Sequence, residues 1–500
     1  MSEPLTENHV MNEDLSRLET ASEREVLRRV VIDPVSRVEG HGKVTLLLDD
    51  EDRVREARLH IVEFRGFEVF IQGRPYWEVP VMVQRLCGIC PVSHHLAACK
   101  ALDHVVGGLP LTASAEKLRR LMHYGQILQS HALHFFHLSS PDLLFGFESD
   151  AGRRNIVGVA EAHPEIARQG VLLRKFGQEV IRATAGKRIH GTGAVPGGMN
   201  RHLSAEDHKM LRADIGRVIE WSRSAVELVK RLHRADPALY DGFGTFDSGF
   251  MSIVRADGAM DLYHGNLRFR DADGHILRDG IADHDYRSVI REQVKSWSYM
   301  KFPYLRELGP DAGWYKVGPL ARVQNCDFIP STFAEAERRE FIEHGNGRPV
   351  HATLAYHWAR MIEMLHAAEV IRELLDDRDL LAGERMAEGE RGREGVGIIE
   401  APRGTLIHHY QVDDDDLVSM CNLIVSTTHN NQAMNTAIRA VANRYLDGRK
   451  LTEGLLNHIE VAIRAFDPCL SCATHALGQM PLVLELEAAD GATLDRLVRD

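Results

Sequence analysis

Four of the seven cysteines occur in two CxxC pairs at opposite ends of the sequence. Cys87 and Cys90 form the first pair, in the stretch RLCGICPVSHH, and Cys469 and Cys472 form the second, in DPCLSCATH. A histidine follows each pair within the same stretch. Each pair can present two thiolates to one metal ion, so that two pairs together can supply four sulfur ligands.

The residues alone leave several uses of the two pairs open. Zinc held by four cysteines usually takes its pairs from within about 15–20 residues, whereas almost the whole chain separates Cys90 from Cys469. A thioredoxin-like redox pair is expected at a strand-to-helix turn in a small βαβ unit, and neither pair has that setting. Inert buried cysteines would not be expected to repeat this spacing twice. Soft thiolates favour nickel, iron or copper over hard cations, and zinc stays open.

Composition excludes several classes of protein. The chain has 500 residues, 44% hydrophobic and 26% charged, which is typical of a globular protein with a large core. A net charge of -12 argues against a general nucleic-acid binder. No apolar run reaches the roughly 18–20 residues of a membrane span. The acidic, polar N-terminus is no signal peptide, so we expect a cytoplasmic protein.

Hydrophobic periodicity predicts a mainly α (α+β) fold, a large helical core with small β elements near both ends. Strand-like runs are predicted at 28–35, 42–62, 251–280 and 395–427, with hairpins at 42–62 and 395–427. Helices are predicted at 77–102, 114–138, 161–187, 204–237, 351–377, 428–447 and 451–465. No repeat or Pro/Gly linker divides the chain. We therefore predict a flexible N-terminal extension (1–25), a single domain (26–475) and a C-terminal extension (476–500).

The motifs resemble those of the large, catalytic subunit of [NiFe]-hydrogenases, most closely the soluble, bidirectional, NAD-reducing type. The resemblance covers nearly everything from Arg28 onward. It rests on RVEGHG (37–42), FRGFE (64–68), RLCGICPVSHHLAACKALD (85–103), HGTGAVPGGMN (190–200), WSYMKFPYLRELG (297–309), EAPRGTLIHHY (400–410) and FDPCLSCATHALGQMP (466–481). It implies the large-subunit fold and the reversible heterolytic cleavage of H2, with electrons passed on to NAD+.

The resemblance also implies a ligand set. Cys87 and Cys469 would be terminal ligands of nickel, and Cys90 and Cys472 would bridge nickel to an iron that carries cyanide and carbon monoxide. Splitting dihydrogen, an extremely weak acid, needs a Lewis-acidic metal and a nearby base. The Cys469 thiolate is the expected base. His94 matches a histidine that hydrogen-bonds to a bridging thiolate.

Two acidic residues match further roles in the family. Glu39, in RVEGH, matches a carboxylate that relays protons, and burial is expected to raise its pKa. Glu68, in RGFE, matches a ligand of a Mg²⁺ ion. His475 matches the other side-chain ligand of that ion, and the backbone carbonyl of Leu423 is a third candidate.

Polar groups are expected around the iron. Arg403, in APRGT, matches a guanidinium placed against the diatomic ligands, a task that suits its planar donor fork. Asp467 and Asp103 are expected to hold this arginine. Thr427 or Ser426 is expected to donate to a cyanide, although VSTTHN departs from the family pattern at this point.

Electrons need partners to leave this chain. Cys99, Cys326 and Cys421 are too few and too scattered to hold an iron–sulfur cluster, which commonly takes four cysteines. GTGAVPGG (191–198) has the wrong spacing for a nicotinamide-binding loop. We therefore expect an iron–sulfur small subunit and a separate diaphorase module that binds flavin and NAD.

The residues after His475 are expected to be removed during maturation. The resemblance implies that a maturation endopeptidase cuts after this histidine once nickel-insertion factors have loaded the metal; the same stretch also reads as an ordinary terminal strand. Alternatives to the NAD-linked hydrogenase are a relative that uses NADP, sulfur or a deazaflavin, and a non-catalytic four-cysteine zinc scaffold. A subunit of a quinone reductase shares the fold but lacks the four cysteines.

Overall fold

The structure is a computed structural model of the whole chain. It describes residues 28–33, 36–49, 51, 53–61, 66–295, 297–446, 452–470, 482–487 and 493–499, with the backbone alone at 28–33, 482–487 and 493–499. The predicted N-terminal extension lies outside these residues. In the part of the chain described, no helix is both long enough and apolar enough to cross a bilayer.

Long helices form the core. The helix Ala355–Leu375 is buried around nearly its whole circumference, and its buried side chains include charged as well as apolar ones. It packs against Ala113–Leu133 and Ala205–Ala235. Ala113–Leu133 also packs closely against Pro164–Ala185. A Cβ atom on Gly177 of that helix would lie 2.7 Å from the carbonyl oxygen of Gly125, so larger residues would push the two helices apart.

The bounds of the helices follow the predicted order. The α-helices are Phe67–Phe70, Val79–Met82, Pro91–Val106, Ala113–Leu133, Ser140–Phe145, Ile156–Ala162, Pro164–Ala185, Ala205–Ala235, Pro237–Gly242, Tyr286–Val289, Gly309–Ala312, Pro319–Asn325, Thr332–His344, Ala355–Leu375, Ser426–His429, Asn431–Tyr445 and Glu453–Ala465. A π-helical turn, His134–Ser139, extends one of them, and short 3-10 turns lie at Tyr76–Glu78, Val83–Leu86, Asp283–Asp285, Arg306–Leu308 and Arg378–Leu380.

Small sheets surround these helices. The N-terminal sheet contains, in spatial order, Thr493–Arg499, Leu482–Glu487, Arg28–Asp33, Gly42–Leu48 and Val54–Ile61, all antiparallel. The central sheet contains Tyr315–Lys316, Gly249–Val254, Asn266–Arg270 and Ile276–Ile281. The C-terminal sheet contains Glu394–Ala401, Gly404–Val412 and Val418–Ile424. Two-stranded pairs are Ile290–Gln293 with Phe302–Leu305, and Ala194–Val195 with Gly198–Met199.

The predicted α+β class is confirmed, and two elements differ in detail. The helix predicted over 77–102 is interrupted, because Cys87 adopts an extended conformation and a new helix begins only at Pro91, a residue well suited to a first helical position. The segment 395–427 forms three strands instead of a hairpin. Asp413–Asp416 lies in the turn between the second and third strands.

Candidate metal centre

The first cysteine pair lies in a sharp connection before a helix. Cys90 occupies the cap position of the helix Pro91–Val106, and its backbone N–H donates to the Cys87 sulfur at 2.9 Å. Both cysteines are buried. Their sulfur atoms are in direct contact and are assigned as a disulfide. The positive end of the helix dipole favours negative charge on thiolates at this position.

Cys469 approaches this pair from the other end of the chain. Its sulfur lies 3.3 Å from the sulfur of Cys87, and the sulfur atoms of all three cysteines lie within 4.8 Å of one another. Cys472 and His475 lie outside the described residues. The fold therefore joins one member of the late pair to both members of the early pair, as a shared metal ion would require.

Two contacts hold the segment that carries Cys469. The backbone N–H of Cys469 donates to the Thr427 hydroxyl at 3.0 Å, and the N–H of Leu470 donates to the carbonyl oxygen of Glu39 at 2.8 Å. Glu39 is itself buried. The relay candidate from the N-terminal region thus lies beside the cysteine segment in a short parallel bridge.

Arg403 is buried next to the three sulfurs. Its Nη2 donates to Asp467 Oδ1 at 2.9 Å, which agrees with the predicted pairing. Burial alone would lower the pKa of Arg403, but the negative charges of Asp467, Cys469 and Glu39 outweigh it and hold the pKa above its ordinary value. Among the described residues, Nε and Nη1 have no hydrogen-bond partner. Two buried, charged donors therefore remain for an acceptor that is not a protein atom.

The predicted contact between Asp103 and Arg403 is wrong. The Asp103 carboxylate pairs with Arg119, at 2.6 and 2.9 Å, and accepts from the Gly197 N–H at 2.7 Å. The reason is its place in the last turn of Pro91–Val106, where it faces the next helix and the glycine-rich loop. Asp103 thus anchors the glycine-rich loop GTGAVPGG (191–198).

Comparisons with known proteins agree with this geometry. A family model described as nickel-dependent hydrogenase matches residues 65–145 and 260–475, and a HoxL-like model matches residues 29–64. The beta subunit of the NAD-reducing hydrogenase HoxS of Cupriavidus necator is 48% identical over 487 residues, covering 94% of this chain and 100% of that protein. The chain belongs to the nickel-dependent hydrogenase family.

Solved structures of hydrogenases share the fold. An NAD+-reducing [NiFe]-hydrogenase in the H2-reduced state is 60% identical with a TM-score of 0.87, over 90% of this chain and 100% of that one. The [NiFeSe]-hydrogenase of Dm. baculatum is 22% identical with a TM-score of 0.72, over 89% and 99%, and shows the fold alone. Family membership implies a nickel–iron centre, and the three clustered sulfurs with the two unpartnered donors of Arg403 fit one.

Ser426 and Thr427 are the two hydroxyls predicted to donate to a cyanide of this hydrogenase. The structure favours Thr427 as the donor. Ser426 Oγ donates to the carbonyl oxygen of Gly404 at 2.7 Å, which uses its single proton. The Thr427 hydroxyl accepts from the Cys469 N–H, so its own proton remains to be donated elsewhere.

The partner of His94 among the described residues is another histidine, and its predicted bond to a bridging thiolate stays a prediction for Cys472. Its Nδ1 lies 3.2 Å from His408 Nε2, and His408 Nδ1 lies 2.6 Å from the Tyr410 hydroxyl. Burial lowers the pKa of His94 to about 3, so the ring is neutral. Among the described residues no hydrogen bond joins it to Cys90, and a contact with Cys472 lies outside them. Sequence reasoning missed His408, for which the available signal was its place in EAPRGTLIHHY.

The two predicted magnesium ligands that the structure describes, Glu68 and Leu423, lie side by side. Glu68 Oε1 accepts from the backbone N–H of Leu423 at 2.9 Å, so the group of Leu423 that faces this oxygen is the N–H and not the carbonyl. Lys301 lies 3.7 Å from Glu68 Oε2 and 3.5 Å from Glu292. Burial raises the pKa of Glu292. Sequence reasoning missed both residues, although WSYMKFPYLRELG contains Lys301.

Arg360 is a further buried cation that sequence reasoning missed. It lies on the helix Ala355–Leu375, and its Nη2 donates to the carbonyl oxygen of Ala465 at 3.0 Å. Burial lowers its pKa to about 10 although Asp467 opposes the shift. The available signal was a charged residue among apolar neighbours in this helix, a signal that Arg360 shares with Glu363 and Glu369.

Proposed function

We propose that the chain is the catalytic subunit of an NAD-reducing [NiFe]-hydrogenase, which cleaves H2 reversibly into two protons and two electrons and passes both electrons on to NAD+. The observation that carries the proposal is the approach of Cys469 to within 3.3 Å of Cys87, because it brings the two distant CxxC motifs to one buried point. The acceptor is inferred from the two NAD-reducing relatives, at 48% and 60% identity.

Four cysteines would hold the nickel in this proposal. Cys87 and Cys469 would be terminal ligands, and Cys90 and Cys472 would bridge to an iron with cyanide and carbon monoxide ligands. The centre would supply the Lewis acid that polarises dihydrogen and the redox couple that takes up its electrons. The geometry of the described sulfurs supports this assignment, since three of them share one site. Nickel binding would require the Cys87–Cys90 disulfide to be reduced to two thiolates.

Side chains around the centre would accept and relay the proton and donate hydrogen bonds to the cyanides. Cys469 would accept the proton, because it is the partly exposed member of the sulfur cluster. Glu39 would carry the proton onward, since its backbone is bonded to the cysteine segment. Arg403 and Thr427 would donate hydrogen bonds to the cyanides, with Asp467 holding the guanidinium in place.

A magnesium ion near this site is the second part of the proposed cofactor set. Glu68 would be its side-chain ligand, with His475 and the carbonyl of Leu423 as further ligands. The proximity of Glu68 to Leu423 supports the assignment. Lys301 competes for the same carboxylate, so magnesium binding would require this ammonium group to turn away.

The complex and its maturation follow from the same reading. An iron–sulfur small subunit would take the electrons and pass them to a flavin- and NAD-binding diaphorase, in the cytoplasm. Nickel-insertion factors would load the centre, and an endopeptidase would then cut after His475. The family match ends at residue 475, and the backbone beyond it forms two strands that extend the N-terminal sheet at Arg28–Asp33. Such strand pairing would hold the extension 476–500 in place until cleavage.

Infrared spectroscopy with metal analysis tests the proposal. The processed protein should contain nickel and iron in equal amounts and show cyanide and carbon monoxide bands. Zinc in place of both metals, with no such bands, would establish the scaffold alternative. Purified complex reduced by H2 and supplied with NAD, NADP or a deazaflavin would separate the NAD-linked enzyme from its relatives.

A further inference from the structure

A second cluster of metal-ligand side chains lies on the surface, among residues unrelated to the cysteine motifs. His233 is in the last turn of the helix Ala205–Ala235, His344 ends the helix Thr332–His344, and Asp241 belongs to the short helix Pro237–Gly242. The Nε2 atoms of the two histidines lie 2.8 and 2.9 Å from the same carboxylate oxygen, Asp241 Oδ1. Three potential ligand atoms from three helices thus lie within 4.8 Å of one another.

An apolar floor fixes the two imidazole rings. Trp358 contacts both, with ring centroids 5.7 Å away in each case, and Tyr240 packs edge-on against His233. The rings of His233 and His344 meet at 90°, with centroids 4.7 Å apart. Because the rings are held from below, both Nε2 atoms stay directed at one point, and Asp241 forms the exposed side of the cluster.

The cationic side chains near Asp241 are paired with other carboxylates. Lys230 is bound by Glu337 and Glu340, and Arg234 is bound by Glu340. In the part of the chain that the structure describes, the ion-pair partners of Asp241 are the two imidazoles alone. No lysine or arginine there competes with a cation for this oxygen.

We propose that His233, His344 and Asp241 bind a divalent cation of the Zn²⁺ class, with water as the fourth ligand. Imidazole and carboxylate ligands suit zinc, nickel and copper. Tetrahedral zinc with bonds of about 2.0–2.2 Å places its ligand atoms roughly 3.3 Å apart. Each of the two nitrogen–oxygen distances therefore needs to lengthen by about 0.5 Å to admit the cation, and the ligand atoms lie within 4.8 Å of one another at the start.

The bound cation would act as a structural link. Its ligands come from the ends of two long helices and from the short helix that follows the first of them, so binding would join the C-terminal ends of Ala205–Ala235 and Thr332–His344. A cation that binds only the folded chain stabilises it in proportion to the logarithm of its concentration over its dissociation constant. A nickel-exposed preparation would also carry more nickel than iron, the excess residing at this site.

Metal counting on the purified hydrogenase complex tests the proposal. The complex is treated with a chelator at neutral pH, the retained nickel confirms that the buried centre survives, and Zn²⁺ alone is titrated in. The wild type should take up one more zinc per chain than the His233→Gln/His344→Gln variant. Each single variant should bind at least roughly 10–100-fold more weakly, the loss that even outer-shell changes cause. His264→Gln is the matched control, because His264 pairs with one carboxylate, Glu116, without a second imidazole.

A second measurement guards against misfolding of the double variant. Ni²⁺ at the site should quench the fluorescence of Trp358, and Trp358→Phe should lose that quenching while still binding one extra zinc. Asp241→Asn preserves the shape of the cluster but replaces the anionic ligand, so it should fold and bind zinc weakly. Equal zinc in the wild type and in a folded Asp241→Asn or double variant would overturn the proposal and leave a plain hydrogen-bonded His–Asp–His cluster.

Discussion

Replacing Glu39 with Gln tests the proton route at the candidate centre. The carbonyl oxygen of Glu39, which accepts from Leu470 at 2.8 Å, belongs to the backbone and is unchanged by the substitution. The isosteric amide should therefore leave the cysteine segment and its metal content intact while removing the titratable group. Because positioned acids and bases contribute about 10²–10⁴-fold, equivalent to about 2.7–5.4 kcal/mol of barrier, the exchange of H2 with D2O should slow by that factor.

The assay is mass spectrometry of HD and D2 formation on the purified complex, with nickel and iron measured in the same sample. Glu460→Gln is the control. Glu460 is also a buried carboxylate, and it accepts from the Ser36 N–H and hydroxyl at 2.7 and 2.8 Å in the same N-terminal segment. Its loss should weaken the fold without slowing exchange per nickel. A Glu39→Gln enzyme with full metal content and an exchange rate within threefold of the wild type would refute the relay.

Four further substitutions distinguish the roles of residues that the sequence placed together at the iron. Asp103→Asn should destabilise the fold by about 3–5 kcal/mol, because it leaves the buried Arg119 uncompensated, yet leave the cyanide bands of the folded fraction unmoved; shifted bands would restore a role at the iron. Arg403→Lys should keep a cation beside the site but remove the donor fork, and infrared spectra should show shifted cyanide bands. Thr427→Val should shift the same bands and weaken the anchoring of the cysteine segment by roughly 1–3 kcal/mol, whereas Ser426→Ala should leave the bands unchanged. Identical spectra for the Thr427 and Ser426 variants would contradict this division.

The sequence predicted what depends on residue type and spacing. The long amphipathic helices, the N-terminal hairpin and the separation of the two CxxC motifs could all be read directly. The pairing of Asp103 could not, because it depends on which helix faces the last turn of Pro91–Val106, a tertiary fact. His408 was missed for a similar reason: its strand places it beside His94 only after the C-terminal sheet has packed against that helix.

The difference between Asp103 and Asp467 shows how local backbone decides a role. Both are buried aspartates predicted to hold Arg403. Asp467 adopts a positive φ of 55° immediately after the helix Glu453–Ala465 ends, a left-handed conformation that aspartate tolerates better than most residues. That turn sends the chain toward Glu39 and Cys87, and it places the Asp467 carboxylate against Arg403.

The contacts between the N- and C-terminal segments bear on how the C-terminal tail and nickel loading are related. Cys87 and Cys90 lie just before the helix Pro91–Val106, while the segment of Cys469 is bonded to Thr427 through the Cys469 N–H and to Glu39 through the Leu470 N–H. The late segment is thus held by a few hydrogen bonds at its beginning, and the strands beyond residue 475 pair with the N-terminal sheet. A variant that ends at His475 should therefore release the cysteine segment from that strand pairing. If the tail guides nickel loading, this variant should fold but contain less nickel than the processed wild type; equal nickel in both would show that the strands serve the fold alone.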